Sequence, residues 1–171
     1  TGASSGLGLE SAKALAAEGF DLTLLARGEK RLLEAAKQIQ SANSEVSITA
    51  KVLDVSDFDQ VRTFAASITR PVDVLMNNAG LMGPDFKLSK QGIEIQMATN
   101  HLGHFALTGL LQKQIKERVV AVSSQMHRTA RIGNYSIDEM RDKAKGIGAY
   151  NPWSAYAFSK LANLLFIHEL E

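Results

Sequence analysis

The sequence predicts an α/β fold in which helices cover a parallel sheet. Segments with helical periodicity alternate with short apolar or β-branched runs, as is typical of strand–helix–strand units. A glycine-rich turn, Thr1–Gly8, leads directly into the first helical segment. A length of 171 residues, with 45% hydrophobic and 22% charged residues, suits one domain with a buried core.

The predicted elements follow from apolar spacing and end signals. The first helix ends at Gly19, the following apolar run fits a buried strand, and Ser56-Asp57 caps the third helix. The predicted helices span about Gly6–Glu18, Glu29–Ala42, Asp57–Ile68, Gly92–Lys116 and Trp153 onward. The predicted strands span Phe20–Ala26, Val46–Val55, Val72–Met76 and Arg118–Val122. The stretch Gln125–Asn151 is predicted to be one long loop near the active site that acts as a lid or binding loop. The alternative is a plain surface insertion.

Composition narrows the function classes. Lys and Arg total 19 against 18 Asp and Glu, which argues against a nucleic-acid partner. The absence of cysteine excludes disulfides and thiol catalysis. The longest apolar runs, such as Leu22–Ala26, are too short to span a bilayer. We therefore expect a cytoplasmic protein with a small-molecule substrate, and the sequence leaves a homo-oligomer open.

The glycine-rich turn predicts a phosphate-binding site. Glycines at positions 2, 6 and 8 permit a tight turn and a close backbone approach to a ligand. The helix that follows offers unpaired N–H groups to a phosphate. The spacing is Gly-x-x-x-Gly-x-Gly, not the Gly-x-Gly-x-x-Gly of most dinucleotide-binding folds. Taken alone, the glycines leave open a structural turn without a ligand.

Four motifs together resemble the short-chain dehydrogenase/reductase family. They are the Thr1–Gly8 turn, Asn77-Asn78-Ala79-Gly80 after a strand, Asn100 within Thr99–Phe105, and Ser123-Ser124 followed by Tyr156-x-x-x-Lys160. The resemblance extends over essentially all 171 residues. The long helix and the segment Lys160–Asn163 are most similar to the retinol-dehydrogenase-like and protochlorophyllide-reductase-like branch.

This resemblance implies a Rossmann-type, doubly wound parallel sheet with helices on both faces, in a single NAD(P)-binding domain over 1–171. In the family, a first strand precedes the glycine turn and further strands follow the catalytic helix. We therefore expect a domain truncated at both ends that does not fold stably alone, because a missing central strand leaves backbone groups unpaired. The short link between Leu111 and Arg118 also suggests that a few residues are missing there.

Four residues match the catalytic positions of the family. Tyr156 and Lys160 are four apart on a helix and share one face, where an ammonium favours a phenolate. The resemblance implies that Tyr156 is the general acid/base and that Lys160 also holds the nicotinamide ribose. It implies that Ser124 orients the substrate oxygen while Ser123 points back to the fold, and that Asn100 holds a water linking Lys160 to solvent. The alternatives are an exposed helical pair, and an asparagine that only satisfies backbone groups.

The expected cofactor is NADP rather than NAD. The strand Phe20–Ala26 ends without a carboxylate for the ribose hydroxyls, and Arg27 can meet a 2′-phosphate instead. The resemblance implies that Asp54 bonds the adenine amine. The predicted cofactor-binding residues are Gly2, Ser4, Ser5, Gly6, Leu7, Gly8, Arg27, Asp54, Val55, Asn78, Ala79, Gly80, Tyr156 and Lys160.

These residues predict an NADP-dependent oxidoreductase that transfers a hydride between nicotinamide and a carbonyl or alcohol group. A non-catalytic sensor or scaffold with the same fold is the alternative, which the presence of both Tyr156 and Lys160 disfavours. The glycine spacing disfavours a sugar-nucleotide epimerase. His101 and His104 are three apart but lack nearby carboxylate ligands, so no metal site is predicted.

The stretch between Ser124 and Tyr156 predicts the substrate class. Its apolar and aromatic residues are Met126, Ile132, Tyr135, Ile137, Met140, Tyr150 and Trp153. Beside the catalytic serine they would line an apolar pocket, which favours a lipophilic, retinoid- or steroid-like ketone, aldehyde or alcohol. The alternative, nearly as strong, is that these residues only pin the loop to the domain.

Overall fold

A computed structural model describes residues 1–131 and 136–170, which divide into two compact units, Thr1–Asp54 and the part from Val55 onward. The helices are α1 Gly6–Ala17, α2 Glu29–Ala42, α3 Phe58–Ala66, α4 Ile95–Met97, α5 Gly103–Leu111, α6 Ile137–Lys145 and α7 Pro152–Leu170. The strands are β1 Leu22–Ala26, β2 Ile48–Val52, β3 Val72–Asn77 and β4 Ile115–Ala121. A π-helical turn, Ala98–Leu102, joins α4 to α5, and a 3-10 helix spans Gln125–Thr129.

The first unit is a parallel strand–helix–strand motif. β1 and β2 pair in parallel, with Leu22 opposite Ile48, and α2 connects them. Leu32 and Ile39 of α2 are buried at helical spacing, so one face of this helix packs into the core. The buried core of this unit comprises Ala3, Ala12, Ala16, Leu24, Ala26, Leu32, Ile39 and Val46. The predicted alternation of helix and strand is confirmed here.

The second unit repeats the pattern around another parallel pair. β3 and β4 align from Val72 opposite Ile115 to Asn77 opposite Ala121, with one irregularity near the start of the ladder. The chain between these strands passes through α4, the π-helical turn and α5. α5 packs on α3, and α7 packs against β4, the π-helical turn and the 3-10 helix. Helices in the described ranges are all too short or too polar to cross a membrane.

The predicted helix Gly92–Lys116 is wrong at both ends. Gly92 has a φ of 74°, outside the helical range, and the Glu94 carboxylate accepts the N–H groups of Gln96 and Met97, so the helix starts at Ile95. It ends at Leu111, because the chain from Ile115 onward pairs with β3. Residues 112–114 form the link between α5 and β4 in this structure.

The stretch predicted as one long loop contains regular structure. Ser136 and Glu139 form a capping box at the start of α6, and Gly146, in the left-handed conformation, ends it. Both signals stand in the sequence, but the polar composition of the helix concealed them. The described part of the segment 125–151 therefore contains a 3-10 helix, Gln125–Thr129, and an α-helix, α6.

Candidate active site

The glycine turn is hydrogen-bonded to β1 and leads into the start of α1. Gly2 and Gly6 have positive φ angles of 68° and 54°, which other residues rarely adopt. The Ala3 N–H donates to the Leu25 carbonyl at 3.2 Å. Ser5 is the N-cap of α1, yet its side chain forms no capping hydrogen bond. The first-turn N–H groups of α1 are therefore not capped by Ser5, which is an arrangement suited to a phosphate.

The other predicted cofactor residues of the first unit lie at strand and helix ends. Leu7, in the first turn of α1, is 74% exposed, whereas Gly8 is buried. Ser4 is half-buried within the turn. Arg27 is exposed and directly follows β1, and Asp54 is half-buried two residues after β2. In the second unit, Val55 is buried, Asn78 and Ala79 are half-buried after β3, and Gly80 is exposed.

Asn100 is fully buried in the π-helical turn and clamps the loop after β3. Its Oδ1 accepts the Leu81 N–H at 2.7 Å, and its Nδ2 donates to the Leu81 carbonyl and to the Ser159 hydroxyl, each at 2.9 Å. A Cβ on Gly80 would lie 3.2 Å from Asn100 Oδ1 and 3.5 Å from Lys160 Nζ. The missing side chain at Gly80 thus lets these two polar groups approach the loop. The amide itself holds the Leu81 backbone and the Ser159 hydroxyl.

Tyr156 and Lys160 share one face of α7, as their spacing predicted. Both are buried, at 8% and 4% exposure. Lys160 Nζ lies 5.7 Å from the centroid of the Tyr156 ring and donates to the Val122 carbonyl at 3.0 Å. Burial lowers the pKa of Lys160 below its usual range. The ammonium is therefore held between the end of the β4 segment and the tyrosine ring.

The two adjacent serines face different partners, as the family resemblance implied for Ser123. The Ser123 hydroxyl donates to the Lys160 backbone carbonyl at 2.8 Å and so points into the fold. Ser124 caps the 3-10 helix, where its hydroxyl oxygen accepts the Met126 N–H at 3.3 Å. Within residues 1–131 and 136–170, the Ser124 hydroxyl hydrogen and the Tyr156 hydroxyl have no hydrogen-bond partner. Both groups are therefore available to a substrate oxygen.

The histidines of the π-helical region bind protein groups. His101 Nδ1 lies 3.1 Å from Asn163 Oδ1, and burial lowers the pKa of this ring. His104 Nδ1 lies 3.1 Å from the Asn100 carbonyl, and burial lowers its pKa to about 3. Among the described residues, no group of three or more His, Cys, Asp or Glu side chains could hold a metal ion.

The predicted substrate-side residues fall into different environments. Trp153 is 52% exposed, and its ring lies so close to Gly83 that a Cβ on this glycine would be 3.3 Å from it. The Tyr150 hydroxyl donates to Glu94 Oε1 at 3.1 Å, so this residue pins its segment to the domain, as the alternative expected. Met140 is 37% exposed on α6, and Met126 is half-buried in the 3-10 helix. Ile132, Tyr135 and the side chain of Ile137 lie outside the described residues.

Sequence reasoning missed two buried polar residues close to the loop after β3. Glu94 and Gln96 are 1% and 0% exposed, respectively. The signal was present, because both alternate with Ile93, Ile95 and Met97 in an otherwise apolar run. Buried polar groups of this kind require hydrogen-bond partners, and here those partners come from distant segments.

The chain belongs to the short chain dehydrogenase family, whose model matches residues 1–136. It is 38% identical to retinol dehydrogenase 11 of Homo sapiens, over 99% of this chain and 54% of that protein. A crystal structure of an uncharacterized protein from Mycobacterium paratuberculosis matches with 40% identity and a TM-score of 0.86, over 99% of this chain and 59% of that one. An alcohol dehydrogenase from the archaeon Thermococcus sibiricus, solved with 5-hydroxy-NADP, matches with 25% identity and a TM-score of 0.74, over 99% and 67% of the two chains.

These similarities confirm the α/β Rossmann-type fold class and the resemblance to the retinol-dehydrogenase-like branch. The chain spans a little over half the length of the curated relatives it matches, 54% of retinol dehydrogenase 11, for example.

Proposed function

We propose that this protein is an NADP-dependent oxidoreductase that transfers a hydride between nicotinamide and a carbonyl or alcohol group. The observation that carries the proposal is the cluster in the second unit. Lys160 Nζ lies beside the Tyr156 ring and near Gly80, and Asn100 Oδ1 also lies near Gly80. A buried cation beside a tyrosine with an available hydroxyl is suited to moving a proton to or from a substrate oxygen.

The residues present fit a phosphorylated dinucleotide. The start of α1, which the Ser5 side chain does not cap, offers N–H groups to the pyrophosphate, and exposed Arg27 offers a guanidinium to a 2′-phosphate. No carboxylate stands at the end of β1 to favour the free ribose hydroxyls. The Thermococcus sibiricus relative, solved with 5-hydroxy-NADP, supports this assignment. The resemblance assigns the remaining contacts to Asp54, Val55, Asn78, Ala79, Gly80 and Lys160.

When bound, the nicotinamide supplies or accepts the hydride, and the chain supplies the proton. We assign to Tyr156 the donation of a proton to the carbonyl oxygen in reduction and its removal from the alcohol in oxidation. The positive charge of Lys160 stabilises the phenolate that remains once the proton has left. The Ser124 hydroxyl donates a hydrogen bond to the oxygen on which negative charge develops.

A lipophilic substrate is the finer part of the proposal. Exposed Trp153 and partly exposed Met140 provide apolar surface in the segment that follows Ser124. A substrate with a large apolar body would bury that surface, which a small hydroxy acid or a sugar cannot do to the same extent. The similarity to retinol dehydrogenase 11 supports a retinoid- or steroid-like ketone, aldehyde or alcohol.

The test is turnover of NADPH by the full-length protein with a panel of aldehydes and ketones. Tyr156→Phe should abolish turnover and leave NADPH binding nearly unchanged, because only the proton donor is lost. Ser124→Ala should lower kcat by about 100- to 1,000-fold, the usual cost of one oxyanion donor. Ser123→Ala is the matched control, and its kcat should stay near that of the wild type, because its hydroxyl faces the Lys160 carbonyl.

Two results would contradict the proposal. Turnover by Tyr156→Phe at more than a few per cent of the wild-type rate would assign the proton to another group. A wild-type protein that binds NADPH but reduces no carbonyl on the panel would favour the non-catalytic sensor or scaffold.

A further inference from the structure

Two buried amides, four residues apart, join the loop after β3 to the helix that carries Tyr156. Gln96 and Asn100 are both 0% exposed and lie on the helical segment between β3 and β4. Gln96 Oε1 accepts the Gly83 N–H at 2.9 Å, and its Nε2 donates to the Pro152 carbonyl at 2.9 Å. Asn100 makes the equivalent pair of contacts one turn along, to Leu81 and Ser159. Residues at this spacing share a helix face, so the two amides form parallel bridges.

The two bridges end on groups that are hydrogen-bonded to the Tyr156 backbone, one to its N–H and the other to its carbonyl. Pro152 is the first residue of α7, and in an α-helix its carbonyl accepts the N–H of the residue four positions on, which is Tyr156. Gln96 therefore shares this acceptor with the tyrosine backbone. On the other side, the Ser159 hydroxyl donates to the Tyr156 carbonyl at 2.8 Å and accepts from Asn100.

The orientation of the Gln96 amide is fixed by its surroundings. Besides Pro152, Nε2 contacts the Tyr150 hydroxyl at 3.2 Å, so both of its hydrogens are used. That hydroxyl also donates to Glu94 Oε1 at 3.1 Å, and Glu94 in turn caps the helix by accepting the Gln96 N–H at 3.0 Å. A flipped amide would lose its bonds to Gly83 and Pro152 together, and it could keep Tyr150 only if that hydroxyl stopped donating to Glu94. The position of the Pro152 carbonyl is thus tied to the start of the helix that carries Gln96.

We propose that Gln96 is a positioning residue for proton transfer, and this inference rests on the proposed function. It holds the start of α7 through Pro152 and the loop after β3 through Gly83, and so sets where the Tyr156 hydroxyl meets the substrate oxygen. An apolar residue of similar shape could fill the same volume, but it would leave the Gly83 N–H without its acceptor, which lowers stability. Unlike an apolar side chain, the amide forms directional hydrogen bonds that fix the position of the start of α7.

The test compares Gln96→Met with Gln40→Met in the full-length protein. Gln40 is a matched control, because its amide also makes three hydrogen bonds, here to the backbone of Asn43, Val46 and Ile48 in the first unit. Gln96→Met should lower kcat by about 10- to 100-fold, the cost of misplacing a reacting group by about 1 Å. The KM for NADPH should stay within about twofold, as expected when only the reacting geometry changes. Gln40→Met should leave kcat within about twofold.

A conservative variant and a measurement independent of turnover complete the test. Gln96→Glu keeps the acceptor for Gly83 but not the donor to Pro152, so its kcat should fall nearly as far as that of Gln96→Met. Amide hydrogen exchange at residues 153–157 should accelerate in Gln96→Met and not in Gln40→Met, whether or not a substrate is known.

The outcomes separate the inference from the function on which it rests. Unchanged kcat in Gln96→Met, alongside an inactive Tyr156→Phe, would overturn the positioning role and leave the oxidoreductase standing. Unchanged exchange at the start of α7 would overturn it on structural grounds. A wild-type protein without turnover would refute the proposed function, and the exchange experiment would still decide whether Gln96 holds the helix.

Discussion

The buried histidine behind Asn100 should make the stability of this protein depend on pH. His104 is 2% exposed, and its Nδ1 lies 3.1 Å from the Asn100 carbonyl. Because a carbonyl can only accept, Nδ1 carries the hydrogen and donates it. Burial lowers the pKa of His104 from 6.5 to about 3, so the folded protein keeps this ring neutral where the unfolded chain takes up a proton. The stabilisation is complete above pH 6.5 and is lost as the pH falls towards 3.

The magnitude follows from proton linkage. Between the two pKa values, each pH unit lowers the free energy of unfolding by about 1.4 kcal/mol. From pH 7 to pH 5 about 1.5 such units are crossed, so His104 alone should remove about 2 kcal/mol of unfolding free energy. Burial also lowers the pKa of His101, which adds a loss of the same sign. We expect His104→Gln to abolish the larger share of this loss, because a glutamine amide does not titrate and can still donate to Asn100.

The assay is urea unfolding of the full-length protein at pH 7, 6 and 5. The matched control is His168→Gln, which removes an exposed histidine from α7 and should keep the wild-type dependence on pH. If His104→Gln lost as much unfolding free energy between pH 7 and pH 5 as the wild type, the account of a buried neutral ring would be refuted.

Two further predictions concern cofactor and substrate. Arg27→Ala should weaken NADPH binding by about ten- to a hundredfold and leave NADH binding nearly unchanged, because one charge-assisted contact to a phosphate is lost. Titration of both cofactors against both proteins, with exposed Lys37→Ala as the control, checks this, and an unchanged preference would remove Arg27 from the site. Across a homologous aldehyde series, kcat/KM should rise with chain length in the wild type and less steeply in Trp153→Ala, whereas Leu165→Ala, at another exposed apolar position of α7, should keep the wild-type trend. If kcat/KM of the wild type did not change with chain length, the lipophilic substrate would be refuted and only a general carbonyl reductase would remain.

The sequence was most informative where structure is local. The i, i+4 spacing of Tyr156 and Lys160 predicted their shared helix face, since a helix has 3.6 residues per turn. The family resemblance implied that Ser123 points into the fold, and its hydroxyl does bond the Lys160 carbonyl. The predicted helix cap at Asp57 is also confirmed, because its carboxylate accepts the N–H groups two and three residues away.

Sequence reasoning failed where local and distant signals compete. The helix predicted to reach Lys116 stops earlier, because pairing with β3 satisfies the backbone of β4 better than further helical turns would. Helix α6 was not predicted in the polar stretch after Ser124, because its sequence signal is a capping box and not an apolar stripe. The distant partners of the Asn100 amide, Leu81 and Ser159, were not predicted, and its role in holding a water stays a prediction.

By itself, the sequence determined the class of fold and the family and supplied the candidate residues for the chemistry, because these follow from periodicity and from motifs within a few residues of one another. The tertiary structure alone decided what those residues touch. The bridge from Gln96 to Pro152 joins positions 56 apart, and that from Asn100 to Ser159 joins positions 59 apart. No periodicity specifies such pairs. They form because a buried amide must find its partners among whichever groups the fold brings within hydrogen-bond distance.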